Sequence, residues 1–323
     1  MATLEQAVSL AARTAVDSVK EQFSPEERMA AIRRAEEEEL QYMPKPDTLK
    51  VKFLRMCQEN KVAMFSAALL AVMILAIIFA DKLTVYNPNT VNLMERLLPP
   101  SKEHWCGTDD LGRDIFTRIL YGGRVSLLVG VIPTTISMVI GIILGMVSGY
   151  IRQLEAVIMR LADIVLAFPS IVLAMVVMYT LGATTTNIFI ALSMIGWAKT
   201  ARVVRSQTLS LREQEFVEAA RGMGVKKWTI MFRHILPNCL PSLIVLFTLN
   251  IPDAILSEAN LSFLQVGTQP PDSSWGLMVS QAKTYAASSP WMLIFPSLAI
   301  LIMVLALNFL GDGLRDVVDP HMK

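Results

Sequence analysis

Three short stretches of this 323-residue sequence hold residue types with chemistry to offer. Glu218-Ala-Ala-Arg-Gly-Met-Gly224 is a polar island between apolar stretches, followed by Leu236-Pro237. Gly222 and Gly224 mark a break between two short helices, where positive φ or close backbone approach excludes a side chain. Glu218 then falls near the C-terminal end of the first helix, where the helix dipole disfavours an anion. Either it pairs with Arg221, worth roughly a few tenths of a kcal/mol, or it meets a partner or caps a neighbouring amide.

Asn250, Asp253 and Glu258 stand in an otherwise apolar stretch. An ionised group there must face protein, an aqueous path or the interface. Asp253 reads as a group on an aqueous path, with Asn250 beside it; Glu258 lies nearer the outer end and either lines the same path or emerges at the surface. The third stretch, Cys106-Gly-Thr-Asp-Asp-Leu-Gly-Arg-Asp114, carries Asp109, Gly112, Arg113 and Asp114. Its spacing fits neither a calcium loop nor a phosphate loop. It reads as a Gly-Asp turn leading into an amphipathic helix from Ile115 to Arg124.

Other chemistry is missing from the sequence. No G-x-x-x-x-G-K-[ST] phosphate loop occurs, so this chain is expected to bind no ATP of its own. Cys57, Cys106 and Cys239 are far apart, as are His104, His234 and His321. Their spacing gives no disulfide framework and no metal site, and no catalytic residue is assigned.

The elements that must hold these residues are set by composition. Fifty-three percent of the residues are hydrophobic and 18% charged, with mean hydropathy +0.48. That balance predicts an all-α polytopic membrane protein. A net charge of +1 gives no reason to expect nucleic acid as a partner. A bilayer core about 30 Å thick needs about 20 apolar helical residues to cross it. Val62 to Ala80, Val125 to Ile151, Leu240 to Phe263 and Trp291 to Leu310 each qualify. Ile164 to Ala198 is too long for one span and divides at Gly182-Ala-Thr-Thr-Thr-Asn187. Its second half continues past Lys199 and Arg202, whose side chains can snorkel to the interface. About six transmembrane helices follow.

Basic residues cluster before the first span and again between spans four and five. The positive-inside rule places both clusters, and both termini, in the cytoplasm. Lys226 and Cys57 are therefore expected inside, Asp109 and Trp275 outside. The arginines between residues 96 and 124 run against this rule. Residues 1–60 form a polar extension in which Ser24-Pro25-Glu26-Glu27 opens a helix running to Tyr42. Polar and rich in Glu, it is no cleavable signal, and the first span is expected to act as an uncleaved anchor. The expected organisation is an N-terminal extension (1–60), a first span (61–82), an external segment (83–124), a transmembrane core (125–312) containing the loop 200–237, and a cytoplasmic tail (313–323).

Over residues 100 to 320 the sequence resembles the second permease of the dipeptide and oligopeptide ABC importers. Glu218 to Gly224 with Leu236-Pro237 is similar to the EAA loop of such permeases. Gly107 to Asp114, Tyr121-Gly-Gly-Arg-Val-Ser-Leu127, Ala254 to Leu264, Gln269-Pro-Pro-Asp-Ser-Ser-Trp-Gly276, Pro290-Trp291 and Asn308 to Asp316 follow in the order of that branch. Two positions depart from it: His234 stands where Ile is usual, and Gln265-Val266-Gly267 where Gly-Leu-Gly is usual.

The resemblance implies a type I ABC importer permease fold in the cell inner membrane. It implies a second homologous permease, two ATP-binding subunits that use ATP and Mg, and an external solute-binding protein as partners. Glu218, Ala219, Ala220, Gly222, Gly224, Leu236 and Pro237 would form the wedge that enters an ATPase groove. Closure of the ATPase pair would then tilt the adjoining spans. Peptides are the expected cargo, with nickel chelates or glutathione as alternatives. An ion-coupled secondary transporter is a rival, with Asn250-Ile-Pro-Asp253 as its local candidate; an intramembrane hydrolase lacks any Ser-His or paired-Asp constellation.

Overall fold

The computed structural model describes residues 60–318. The helix expected to run to Tyr42, Cys57 and the last residues of the tail lie outside that range. The described residues are helical apart from the connections between helices and a single bridge, Thr108 to Asp114.

Helix α1 (Lys61–Ile78) begins at Asn60, whose side chain accepts the Ala63 amide at 3.0 Å. Ala63, Ser66, Leu70 and Ile77 form its buried stripe. Leu69 and Met73 are half-buried beside it, while Val62, Phe65, Val72, Leu75 and Ile78 are exposed, as expected of a surface facing lipid. Helix α2 (Ile115–Tyr150) has 36 residues, about 54 Å at 1.5 Å per residue. The amphipathic helix expected before the second span is thus its first ten residues, continuous with the span. Gly141, Gly145 and Gly149 lie four apart on one face of α2 and seat Thr200, Val204 and Thr208 of the fifth helix. Small residues at this spacing let two membrane helices approach closely.

The third expected span is bent. Helix α3 (Arg152–Ala167) and helix α4 (Ser170–Leu181) meet at 90° across Phe168-Pro169. Pro169 pushes Phe168 into extended backbone, φ −96° and ψ 144°, as expected before proline. The straight span expected from Ile164 is therefore replaced by an amphipathic helix and a short apolar one. Helix α5 (Thr185–Arg212) starts at a Thr184 cap and runs unbroken past Lys199 and Arg202, as expected.

After the short helix α6 (Glu215–Gly222) and a wide π turn at Ile230–Ile235, helix α7 (Leu236–Phe263) carries Pro241 and Pro252 within it. The short helix α8 (Trp275–Ala282) precedes helix α9 (Trp291–Val318). Helices α1, α2, α7 and α9 are each long and apolar enough to cross a membrane, and the bent pair α3–α4 is so only when its two helices are taken together. The sixth expected crossing is α5, long enough at 28 residues but basic in its second half.

Three apolar cores hold the bundle. One joins α1, α7, α8 and α9 around Trp275 and Met303. Another joins α2, α3 and α5 to the segment after α6 through Val204, Val217, Ile230 and Ile235. The third joins α2, α4 and α5 around Val129, Met178 and Ile188.

Candidate functional site

The segment before α2 is clamped by its own side chains, with Arg113 Nη2 and Asp110 Oδ1, 3.9 Å apart, left without a hydrogen bond. The Asp109 carboxylate accepts the amides of Leu111 and Arg113, each at 2.9 Å, and the Arg113 Nε at 2.6 Å. Asp114 caps α2, accepting the Thr117 amide and hydroxyl at 2.7 Å, and its other oxygen lies 2.9 Å from His104 Nδ1. Gly112 has φ +73°, and a Cβ there would fall 1.8 Å from the Asn92 carbonyl oxygen. All four residues singled out here therefore fix the loop onto the start of α2. Beside them, Arg124 donates to Asp81 at 2.8 Å, and Tyr121 bonds the same carboxylate.

A cleft of about 350 Å³ opens between α2, α4, α5 and α7. Its walls mix apolar residues, among them Ile171, Leu192, Ile195 and Leu261, with the polar Thr134, Ser137, Ser170, Lys199, Asn250, Asp253, Ser257 and Asn260. The Lys199 ammonium lies 3.4 Å from the Asp253 carboxylate, and both side chains are exposed to the cleft. Asn250 and Asp253 thus stand where the sequence places them. Lys199, read from sequence as a snorkelling residue, instead turns to Asp253.

Glu258 does not join them. It is fully buried and points away from the cleft, so neither a path-lining role nor emergence at the outer surface holds. One of its oxygens accepts three hydroxyl hydrogen bonds, from Ser262 at 2.6 Å, Ser274 at 2.7 Å and Thr268 at 3.0 Å. Ser262 accepts the Thr268 amide and Ser274 accepts the Leu277 amide in turn. The carboxylate therefore pins the loop 264–274 and the start of α8 to α7. The sequence signal was present in Ser262, Thr268 and Ser274, but only the loop's return path brings them together. Within this loop Gln265 has φ +65°, a left-handed conformation that disfavours a side chain. It is the position where the resemblance leads one to expect glycine.

The segment after α5 differs from its sequence reading in one respect. The chain breaks at Glu213-Gln214, and α6 starts afresh at Glu215. Glu218 therefore occupies the first turn of a short helix, where the dipole favours an anion, and not the C-terminal end. Among the described residues it makes no ion pair with Arg221, whose guanidinium instead reaches the Arg212 carbonyl at 3.5 Å. At the other end, the Val225 amide donates to the Ala220 carbonyl at 3.1 Å and the Gly224 amide to the Arg221 carbonyl at 3.0 Å. With Gly224 at φ +74°, this is a Schellman closure.

Val217 and Ala220 face the core, while Glu218, Ala219 and Gly222 face outward. A Cβ at Gly222 or Gly224 would meet nothing within 4 Å. The close approach expected of these glycines is therefore not to this chain. Phe216, Met223, Trp228 and Phe232 are exposed around them, with Trp228 and Phe232 stacked at 6.1 Å. Leu236 is half-buried, and Pro237 lies in the first turn of α7, where its missing N–H is tolerated.

An apolar helical bundle with a polar-lined cleft between its helices and an exposed small-residue loop at its edge defines a membrane-spanning permease. Residues 137–323 match the family described as binding-protein-dependent transport system inner membrane component, and residues 52–100 match the N-terminal TM domain of oligopeptide transport permease C. The chain belongs to this family and is a permease subunit of an ABC importer. It is 45% identical to the dipeptide transport system permease protein DppC of Alkalihalophilus pseudofirmus, over 82% of this chain and 88% of that one. It is 41% identical to the oligopeptide transport system permease protein OppC of Bacillus subtilis, over 82% and 88%. The glutathione transport system permease protein GsiD of Pectobacterium atrosepticum is 43% identical, over 80% and 87%. A chain of the inward-facing MetNI methionine ABC transporter shares the fold, with TM-score 0.54 and 20% identity, covering 63% of this chain and 97% of that one.

Proposed function

We propose that this subunit forms one wall of the import path for peptides or similar small solutes across the cell inner membrane, with both termini in the cytoplasm. The observation that carries this reading is the cleft holding Lys199, Asn250 and Asp253 amid otherwise apolar spans. It is open on one side, and a second, homologous permease closes it. Two ATPase subunits supply the energy, using ATP and Mg, and an external binding protein delivers the solute. Glu218, Ala219, Ala220, Gly222, Gly224, Leu236 and Pro237 belong to the coupling segment: the outward small residues admit a partner's backbone, and the exposed Glu218 supplies a charge for it to bind. Relatives bearing dipeptide, oligopeptide and glutathione names support a peptide-like cargo.

The test is reconstitution of this chain with its permease, ATPase and binding-protein partners in vesicles. ATP-dependent uptake of peptides is expected, with none from the chain alone. Glu218→Ala and Gly224→Trp should abolish uptake while leaving the chain inserted. Gradient-driven uptake by the isolated chain would overturn the proposal. Orientation is checked by single-cysteine labelling at Lys226 and at the exposed Met94. Trp275 and Asp109 are buried and do not serve as reporters.

A further inference from the structure

The Lys199–Asp253 pair lies deep in the bundle. It is about 22 Å along α5 from the Thr184 cap and about 15 Å along α7 from Phe263, at 1.5 Å per residue. Against a hydrocarbon core of about 30 Å, both distances fall inside the apolar layer. An exposed ion pair adds little to stability, and ionised groups at such depth are expensive unless they have work to do. Structural pairing is also well supplied elsewhere on α5: Arg202 donates to Asp163 at 2.7 Å and Arg205 bonds Glu155, both tying α5 to α3. Lys199 instead crosses the cleft floor to α7, and its partner, Asp253, is as open to the cleft as it is.

We infer that Lys199 and Asp253 form an ion-pair exchange site for solutes that carry both charges. A zwitterion entering the cleft presents a carboxylate to the Lys199 ammonium and an ammonium to the Asp253 carboxylate. The 3.4 Å pair then opens into two solute-bridged pairs, and no charge crosses the apolar layer without a counter-charge. Asn250, Ser257 and Asn260, on the same wall, accept and donate hydrogen bonds to the neutral backbone between the termini. When the solute leaves, the pair closes again, which keeps the empty cleft neutral. This inference rests on the cleft being the import path and names its solute class: small molecules with separated positive and negative termini.

The experiment uses the complete importer in vesicles and measures solute imported per ATP hydrolysed, with trialanine and with trialanine C-terminal amide as probes. Wild-type uptake of trialanine driven by ATP establishes the path; its absence would remove the parent reading instead. Lys199→Gln and Asp253→Asn are expected to lower trialanine moved per ATP at least 10-fold while ATPase stimulation by the binding protein persists. Lys199→Arg, which keeps the charge, is expected to stay within about 2-fold. Because the same binding protein serves every variant, any change in the preference for trialanine over its amide belongs to the permease, and Lys199→Gln should diminish that preference. Unchanged uptake per ATP in both neutral variants, or ATPase and uptake falling in proportion, would overturn the exchange site and leave the pair a helix tie.

Discussion

Gly145→Ala is a small change whose effect follows from the seam between α2 and α5. A Cβ built at Gly145 would lie 2.6 Å from the Ala201 carbonyl oxygen and 2.7 Å from the Val204 Cβ. Non-bonded carbons prefer about 3.5–4.0 Å, and backbone atoms of a packed helix have no rotamer by which to yield. The two helices must part by roughly 1 Å, an overpacking that costs about 1–3 kcal/mol. Against this, Ala gains about 1 kcal/mol over Gly in helix propensity. The expected net loss is about 1 kcal/mol, seen as a fall of a few degrees in thermal unfolding of the purified chain in micelles. Gly145→Val, with two further methyl groups in the same space, should fall further. Gly222→Ala is the control. It has the same chemistry, but its Cβ meets nothing within 4 Å, so its midpoint should stay level or rise. The seam also seats Thr200, beside Lys199, so a parted seam should lower transport as well. A Gly145→Ala midpoint at or above wild type, matching Gly222→Ala, would refute the close-packed seam.

Glu258→Ala should orphan three buried hydroxyl donors, a loss of roughly 3 kcal/mol at about 1 kcal/mol each; Glu258→Gln, which keeps the accepting oxygen, should lose far less, and unfolding of the purified subunit in micelles reads both. Gln265→Gly relieves a left-handed backbone at φ +65° and should raise stability by about 1 kcal/mol, which an unchanged midpoint would contradict. Burial, followed by the Asp114 charge, pushes the Cys106 thiol up to about 11. Its maleimide reaction near neutral pH should therefore be about 100-fold slower than that of an ordinary thiol, because only the thiolate reacts. The rate should climb about tenfold for each pH unit until the pH nears 11.

Much of this protein is legible in its sequence because membranes impose simple rules. Apolar stretches about 20 residues long located α1, α2, α7 and α9. The polar run Gly182–Asn187 located the start of α5, and the helical recurrence of apolar positions from Ile115 located the start of α2. Gly224 announced a helix closure, since few other residues take positive φ. Asn250 and Asp253 were recognisable because polar groups in a span demand an explanation. The glycines of the α2 seam, at regular four-residue spacing, were equally open to reading, though their partner helix was not.

What the tertiary structure decided were partners and directions. Glu258 and Asp253 sit in the same span five residues apart, yet one faces a loop that folds back with three hydroxyls and the other faces open space. Hydropathy cannot separate them, because that choice depends on where residues 262–274 return. Lys199 looked like an interfacial lysine until α7 brought Asp253 within 3.4 Å. Pro169 turned an apparent span through 90°, and the break at Glu213 moved Glu218 from a helix end to a helix beginning. Local propensity gives a residue's conformation; its counter-charge and its exposure come from elements distant in the chain, and those are fixed only when the helices pack.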